Sequence, residues 1–226
     1  MRIRSFQISF DLLALSIVLL CVLALSSCSV TQPVRVLDEG ATRATLSVGG
    51  PIVRLGGVTV PVPYLNVGVM HGYTSDVTLT GNIHGTMAML KDLALDVGAA
   101  TRVVHQEGWV PEVTAKGQLY LFSDLEMIKN ARVFPMVGLN ASRLIGESTL
   151  LYAGVDQLIQ FNNPHYFVTP FVGAELPLSE RWAMQTEVKW MAANIESAHG
   201  ALRGVGSVGG HGSAAIFFGF TWRIPR

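Results

Sequence analysis

The chain has 226 residues, of which 50% are apolar and only 14% are charged, against about 25% charged in an ordinary soluble domain. Its 16 basic and 16 acidic side chains balance, so there is no net positive charge that would predict nucleic acid as a partner. The two cysteines, Cys21 and Cys28, both lie near the amino terminus, which excludes a disulfide or a cysteine metal site in the rest of the chain.

Residues 1–27 have the features of an export signal. Arg2 and Arg4 precede an apolar run over residues 12–25, which is long enough for the core of a signal peptide but short for a spanning helix. The segment Leu25-Ser26-Ser27-Cys28 resembles the lipobox of bacterial lipoproteins. The resemblance implies a lipid such as palmitate on Cys28, cleavage just before it and acylation of the new amine. An ordinary cleaved signal, or an uncleaved anchor, remains the alternative.

Removal of residues 1–27 would leave an exported chain of 199 residues with a net charge of −1, enough for one sizeable domain. That chain has no run of about 18 apolar residues, so it contains no spanning helix. An apolar, exported chain without such a helix predicts a β-barrel in a bacterial outer membrane. We assign the barrel to residues 42–226 and a short lipidated linker to residues 28–41.

From residue 42 onward, alternating stretches of about ten residues are separated by Gly, Pro, Asn, Asp and Ser, a pattern typical of transmembrane strands. The pattern predicts an all-β, antiparallel, up-and-down barrel. We place its ten strands at about 42–49, 61–71, 76–88, 93–103, 110–122, 132–143, 149–160, 165–177, 181–194 and 213–224. Short turns alternate with longer loops, and an even strand number puts both termini on the periplasmic side.

Two features leave the strand number open. Pro61, Pro63 and the Gly49-Gly50-Pro51 break weaken the first two strands, because proline cannot donate to a central ladder. Eight strands would result if these two formed a hairpin outside the barrel, and twelve strands or another β fold are further alternatives. The connection over residues 196–212 is rich in glycine, which favours a mobile loop.

The faces of the last two strands can be read from their alternation. In residues 215–224 one face carries Ile216, Phe218, Phe220 and Trp222, whereas the other carries mostly small or polar residues. In residues 182–193 the apolar face has a tryptophan at either end, about 20 Å apart in membrane depth for a tilted strand. We expect these apolar faces to meet lipid.

The opposite faces then point into the lumen and carry charges of both signs. Continued along every strand, the alternation places four basic and four acidic side chains inside: Asp96, Arg102, Lys116, Asp156, Glu175, Glu187, Lys189 and Arg223. A balance of charge is what a narrow interior requires, because an unpaired buried charge costs several kcal/mol. A barrel of roughly 8–10 strands has room inside for side chains and a few waters only, so we expect these charges to pair and plug it.

Two segments carry a resemblance to a known class. The stretch from Pro170 to Trp182 looks like a periplasmic hairpin of small bacterial outer-membrane barrels of the OmpA, OmpX and OmpW type, and the stretch from Phe217 to Ile224 is similar to their closing strand. The chain departs from that pattern by ending in Ile224-Pro225-Arg226, where many members stop on Phe or Trp. The resemblance covers architecture and leaves the function open, because such barrels include adhesins, pores, anchors and enzymes.

The sequence offers no recognisable active site. None of the histidines at 71, 84, 105, 165, 199 and 211 sits in a motif with a serine, and none has a metal-site spacing to another. We therefore expect no metal, no cofactor and a hydrogen-bonded structural role for His84.

The favoured interpretation is a non-enzymatic outer-membrane barrel lipoprotein with a structural, adhesive or narrow-pore role. The alternatives are a membrane enzyme that acts on lipid or peptide at the cell surface, and a lipid-anchored periplasmic binding protein with a β fold. Expected partners are outer-membrane lipid, the machineries for barrel assembly and lipoprotein sorting, and a surface partner at loop 196–212.

Overall fold

A computed structural model describes residues 33–55, 58–61, 63–89, 91–124, 131–146, 148–197 and 206–225. Within these ranges the chain forms eleven strands and one short helix. The elements in chain order are β1 Thr42–Leu55, β2 Val58–Pro61, β3 Tyr64–Thr74, β4 Val77–His84, α1 Gly85–Met89, β5 Asp92–Val104, β6 Glu112–Asp124, β7 Arg132–Ile145, β8 Thr149–Ile159, β9 Tyr166–Pro177, β10 Trp182–Glu196 and β11 His211–Ile224.

Ten of these strands close into an antiparallel up-and-down barrel. Each strand from β3 to β10 pairs with the next along the chain, and β1 closes the ring by pairing with both β3 and β11. At the seam Thr42 stands opposite both His71 and Ile224. The prediction of a ten-stranded transmembrane barrel is confirmed, and the alternatives of eight or twelve barrel strands are wrong.

The prolines that weakened the first two strands lie at the edge of the barrel ladder or outside it. β1 runs on to Leu55, and its last residues pair with the short strand β2, which contains Pro61. β3 begins only at Tyr64. Gly49 is the last residue of β1 that pairs with β3: its φ is +146°, and a Cβ there would lie 2.2 Å from the Ile216 carbonyl oxygen. An L side chain rarely adopts this conformation, which explains the glycine.

One predicted strand is too long. The strand predicted over residues 76–88 is β4, which ends at His84, and the chain forms α1 instead of continuing as strand to residue 88. Alternation alone did not indicate this change, because a single helical turn of small and apolar residues has no distinct period. Over the ranges that the structure covers, no helix is long and apolar enough to cross a membrane.

The barrel has two ends that differ in their connections. At the end called here the terminal end, β1 begins, β11 finishes, and the turns at 75–76, 146–148 and 178–181 are short. The connection between β5 and β6 is also at this end. The loop end carries the β1–β2 hairpin, α1 and the connections that follow β6, β8 and β10. This asymmetry is typical of outer-membrane barrels, in which the short turns face the periplasm.

The outward face of each barrel strand carries exposed aliphatic or aromatic side chains. One example from each strand, each between 41% and 57% exposed, is Leu46, Val67, Ile83, Val97, Leu119, Leu139, Leu151, Val172, Val188 and Phe218. A tilted strand of about eleven residues crosses roughly 27 Å, close to the ~25 Å apolar band of membrane barrels. At the terminal end Trp182 and Trp222 stack with ring centroids 6.1 Å apart, which suits the interface between lipid and water.

Candidate functional site

The middle of the lumen holds two lysines and two carboxylates, named here the central charge cluster: Lys116, Asp156, Glu187 and Lys189. Lys116 Nζ lies 2.7 Å from Asp156 Oδ1, and Lys189 Nζ lies 2.8 Å from Glu187 Oε1. Lys189 Nζ is also 3.9 Å from Asp156 Oδ2, which joins the two pairs. All four side chains are at most 4% exposed. Two charges of each sign make the cluster neutral, which limits the cost of burying it.

Gly138 allows the central charge cluster to form. Lys116 on β6 and Asp156 on β8 both stand opposite Gly138 of β7 in the strand register. A Cβ at this position would lie 2.4 Å from Lys116 Cε and 2.4 Å from Asp156 Oδ1. The two charged side chains therefore meet directly above the glycine, in space that any other residue would occupy.

Aromatic rings line the central charge cluster. The Phe171 ring centroid is 4.8 Å from Lys116 Nζ and 5.2 Å from Lys189 Nζ. The Phe217 centroid is 5.5 Å from Lys189 Nζ. A ring face attracts a cation and stabilises it more strongly away from water, so these rings support the two ammonium groups on the sides that no carboxylate covers.

A second buried group, the loop-end cluster, consists of Tyr64, Asn66, His84 and Asp96. His84 Nε2 lies 2.8 Å from Asp96 Oδ2, and neither side chain is exposed. His84 Nδ1 contacts the Tyr64 hydroxyl and lies 3.2 Å from Asn66 Nδ2. An imidazole that donates from Nε2 to a carboxylate can accept the tyrosine hydroxyl at Nδ1. Both ring nitrogens of His84 are thus occupied within the protein.

The remaining acceptor of this cluster is also engaged, and a helix closes it. Asp96 Oδ1 accepts hydrogen bonds from Asn82 Nδ2 at 2.7 Å and from Gln118 Nε2 at 3.3 Å. On the loop side, Met87 of α1 packs in one apolar cluster with Tyr64. The helix that replaced the end of the predicted strand therefore packs beside Tyr64, the ring that contacts His84.

Arg102 organises a third group at the terminal end. Its Nη1 lies 3.1 Å from Asp76 Oδ1, and its Nε lies 3.4 Å from Glu112 Oε2. Arg35, which precedes the first strand, also approaches Glu112, with Nε at 3.9 Å from Oε2, and it contacts the Gln106 side chain. This rim network ties the chain before β1 to the barrel wall.

Residues 33–41, named here the inner segment, run from inside the terminal half of the barrel to the start of β1, and residues 38–40 are exposed. Val34, Val36 and Leu37 are buried. The Leu37 amide donates to Thr78 Oγ1 at 2.7 Å, and the Pro33 carbonyl accepts from Asn140 Nδ2 at 3.4 Å. The lumen therefore holds a peptide segment, and the expectation that only side chains and waters would fill it is wrong.

The inner segment reaches almost to the middle of the barrel. Val34 packs in one buried cluster with Leu150, Tyr152 and Phe171, and Phe171 is the ring that borders the central charge cluster. The inner segment and the central charge cluster thus form one continuous filling from the terminal end to mid-barrel. Sequence reasoning treated these residues as a polar linker, because nothing in nine residues without periodicity indicates where they pack.

A cavity of about 220 Å³ lies between the inner segment and the wall of the barrel at the terminal end. Its lining includes Arg43 of β1, Glu175 of β9 and Arg223 of β11. Arg43 Nη1 reaches Glu175 Oε1 at 3.3 Å, past the two strands that lie between them. Arg223 is exposed, in contrast to the half-buried Arg43.

The eight charges predicted to face the lumen fall into two sets. Five are buried in the central and loop-end clusters: Asp96, Lys116, Asp156, Glu187 and Lys189. The other three, Arg102, Glu175 and Arg223, lie at the terminal end and are partly or largely exposed. Cys28, the predicted lipidation site, lies outside the described residues, as do residues 1–27.

Sequence reasoning missed three charged residues of the interior. Arg43 and Glu112 stand on the inward face of β1 and β6, where the alternation that identified Lys116 could have found them. Arg35 precedes all strands, so no pattern indicated its position. Within the described ranges, no group of three or more His, Cys, Asp or Glu could hold a metal ion.

Several solved structures have a similar outline. An outer membrane channel from Pseudomonas putida F1 has a TM-score of 0.48 and 11% identity over 86% of this chain and 100% of that one. The translocator domain of the autotransporter NalP from Neisseria meningitidis gives 0.41 and 12% over 98% of both chains. OprG from Pseudomonas aeruginosa gives 0.34 and 10% over 86% and 100%. No family model and no curated protein matches the sequence. At such identities, residue roles do not carry over to this chain.

Proposed function

We propose that this chain is a non-enzymatic lipoprotein of the bacterial outer membrane whose barrel is plugged and serves a structural or adhesive role. The observation that carries the proposal is the filling of the lumen by the central charge cluster and the inner segment, inside an aliphatic exterior. A plugged barrel gives solutes no wide path, which leaves its outer surface and its loops as the functional parts.

The exterior supports residence in a membrane. Ten strands that each expose large apolar side chains would leave a wide apolar surface in water, whereas monomeric soluble proteins seldom expose apolar patches above a few hundred Å². A closed barrel satisfies its backbone hydrogen bonds internally, as the bilayer requires. The same feature argues against a lipid-anchored periplasmic binding protein, whose outward faces would be polar.

The decisive experiment is conductance in planar bilayers. We expect the unmodified protein to conduct little or no current, because paired charges and a peptide segment occupy the lumen. Neutralising one partner, by Lys116→Met or Glu187→Gln, should raise the conductance or destabilise the barrel, since the remaining charge draws in water. Asp76→Asn at the exposed rim is the matched control and should change neither. A large, steady, ion-selective conductance of the unmodified protein would replace the plugged barrel with an open pore.

The enzymatic alternative is disfavoured by burial. His84 and Asp96 have the chemistry of an acid–base pair, but both are unexposed, and both ring nitrogens already have protein partners. A general base must reach the proton it abstracts from a substrate. With α1 packed on this side, the loop-end cluster is better suited to holding β3, β4 and β5 together.

The lipid anchor is the part of the proposal that rests on sequence. Replacing Cys28 with Ser should abolish labelling by palmitate, and undiminished label would end the idea. The position of Pro33 adds a constraint, because the five residues from Cys28 to Pro33 span at most ~18 Å. Pro33 is bound by Asn140, five residues inside the end of β7. Five strand residues rise about 17 Å, so this span lets Cys28 reach the rim while the inner segment stays in the lumen.

The proposed partners follow from this placement. They are outer-membrane lipid along the belt of aliphatic side chains, the machinery that assembles barrels, and the machinery that sorts lipoproteins. A surface partner would bind at the loop end, where the connection over residues 196–212 lies. Its first and last residues are described, and those from 198 to 205 are outside the described ranges.

A further inference from the structure

We propose that the cavity at the terminal end of the barrel is a binding site for a phosphate group, held by Arg223 and Arg43. The proposal does not depend on the lipid anchor, because it rests on the barrel wall and on the inner segment alone. It adds a ligand site to a barrel whose middle is closed.

The first observation is an unfavourable pair in the strand register. Arg43 and Arg223 stand directly opposite each other across the β1–β11 pair, and like charges in this position destabilise a sheet. Glu175 forms an ion pair with Arg43. Among the described residues, the Arg223 guanidinium forms no ion pair and no hydrogen bond, although Arg223 lines the same cavity. An anion between the two guanidinium groups would turn this repulsion into attraction.

The second observation is the charge of the cavity. Its lining contains three arginines and two carboxylates: Arg35, Arg43, Arg223, Asp38 and Glu175. The net charge of the lining is therefore +1, in contrast to the neutral central charge cluster. Arg35 already binds Glu112 and Ser142, so the hydrogen-bond donors that remain available to an anion are those of Arg223.

The third observation concerns the type of anion. A guanidinium presents a planar fork of donors that matches the oxygens of phosphate, and two such forks favour a group with several acceptors. The lining of the cavity also includes the apolar residues Val34, Val36 and Leu150. Both a free phosphate ion and the headgroup of a phospholipid have the required chemistry, and the cavity lies at the end of the barrel where headgroups are found.

The test uses the folded full-length protein in a non-ionic detergent and measures binding by titration calorimetry. The probes are inorganic phosphate, dihexanoyl phosphatidic acid and, as a control without phosphate, dihexanoylglycerol. We expect the two phosphate compounds to bind and dihexanoylglycerol not to bind. Tighter binding of the phosphatidic acid would identify a lipid headgroup as the ligand, and equal binding would identify the free anion.

Three variants make the test specific. Arg223→Gln should weaken binding about tenfold or more, because it removes charge-assisted hydrogen bonds. Arg181→Gln is the matched control, since Arg181 lies at the same end, where its carbonyl accepts the Arg223 amide, but does not line the cavity. Glu175→Gln should strengthen binding, because it removes the carboxylate that competes for Arg43. A purely structural role of these residues would not produce this gain.

Each variant should keep the shift in gel mobility on heating that marks a folded barrel, and Arg223→Lys replaces Arg223→Gln if the latter does not fold. The lysine variant should bind more weakly than the unmodified protein, because it keeps the charge but loses the fork. The proposal is overturned if neither phosphate compound binds, or if Arg181→Gln weakens binding as much as Arg223→Gln.

Discussion

The two faces of strand β10 carry opposite kinds of side chain. On the inward face Glu187 and Lys189 are 0% and 1% exposed, whereas on the outward face Trp182 and Val188 are 48% and 47% exposed. Soluble proteins show the reverse distribution, with charges outside and aliphatic side chains inside. The difference shows that consecutive residues of one strand are adapted to two surroundings, a polar lumen and an apolar exterior.

The two faces also place different requirements on a substitution. The outward face has to be apolar, but each of its side chains acts largely alone against lipid. The inward face has to be neutral as a set, because each charge depends on a partner, on the same strand for Glu187 and Lys189 and two strands away for Lys116 and Asp156. Substitutions that distinguish these two kinds of dependence would break or sharpen the comparison.

The largest effect is expected inside, at Asp156→Asn. This change leaves Lys116 without its 2.7 Å partner and should lower the free energy of unfolding by about 3–5 kcal/mol, the range for breaking a buried ion pair. The double variant Lys116→Met, Asp156→Asn should recover much of the loss, because no unpaired charge remains. Unfolding by urea in detergent micelles measures both.

The exposed pair of Arg102 and Asp76 provides the control for this experiment. Their atoms are 3.1 Å apart, but the Asp76 side chain is 47% exposed, and such pairs contribute roughly 0–1 kcal/mol. Asp76→Asn should therefore cost little. If Asp156→Asn and Asp76→Asn lower the free energy of unfolding equally, water reaches the central charge cluster and screens its charges.

A smaller effect is expected on the outer face, at Phe218→Arg. Phe218 is 41% exposed on β11, and an arginine near the middle of an apolar band should cost about 2–4 kcal/mol and impair assembly. Thr221→Ser, a small change on the buried inward face of the same strand, should be mild. Folding yield into lipid vesicles reports both, and equal tolerance at the two positions would argue that the faces are assigned the wrong way round.

Apart from the control variants, the smallest effect is expected from adding one methyl group, at Gly138→Ala. A Cβ would lie 2.4 Å from the atoms of both partners of the Lys116–Asp156 pair, and we expect a cost of about 1–3 kcal/mol, as for an overpacked core. Gly117→Ala is the matched control, because a Cβ at that position would meet nothing within 4 Å. If the two substitutions lower the unfolding midpoint equally, the glycine at 138 is not what makes room for the ion pair.

Much of the barrel could be predicted because its information is local. The period of two along each strand determines which side chains share a face, and the polar turns determine where strands begin and end. Lys116, Asp156, Glu187 and Lys189 could therefore be assigned to one interior without any knowledge of contacts. The α1 helix and the β1–β2 hairpin were not found, because four or five residues are too few for a period to be recognised.

The pairing inside the barrel could not be predicted, because it depends on register. Lys116 meets Asp156 only because β6, β7 and β8 align both residues with Gly138. A shift of one residue in either strand would turn one charge toward lipid. The hydrogen-bond ladders of the closed sheet set that register, and alternation within a single strand contains no information about it.

The amino-acid sequence by itself determined the class of fold and the sign of charge at the eight inward positions it identified, because these follow from the spacing of residue types along the chain. It favoured ten barrel strands but left eight and twelve open. Only the tertiary structure decided that residues 33–37 lie in the lumen, that His84 is held between Tyr64 and Asp96, and that Arg43 and Arg223 share a cavity. These are contacts between residues far apart in the chain, and closure of the barrel is what brings them within reach of one another.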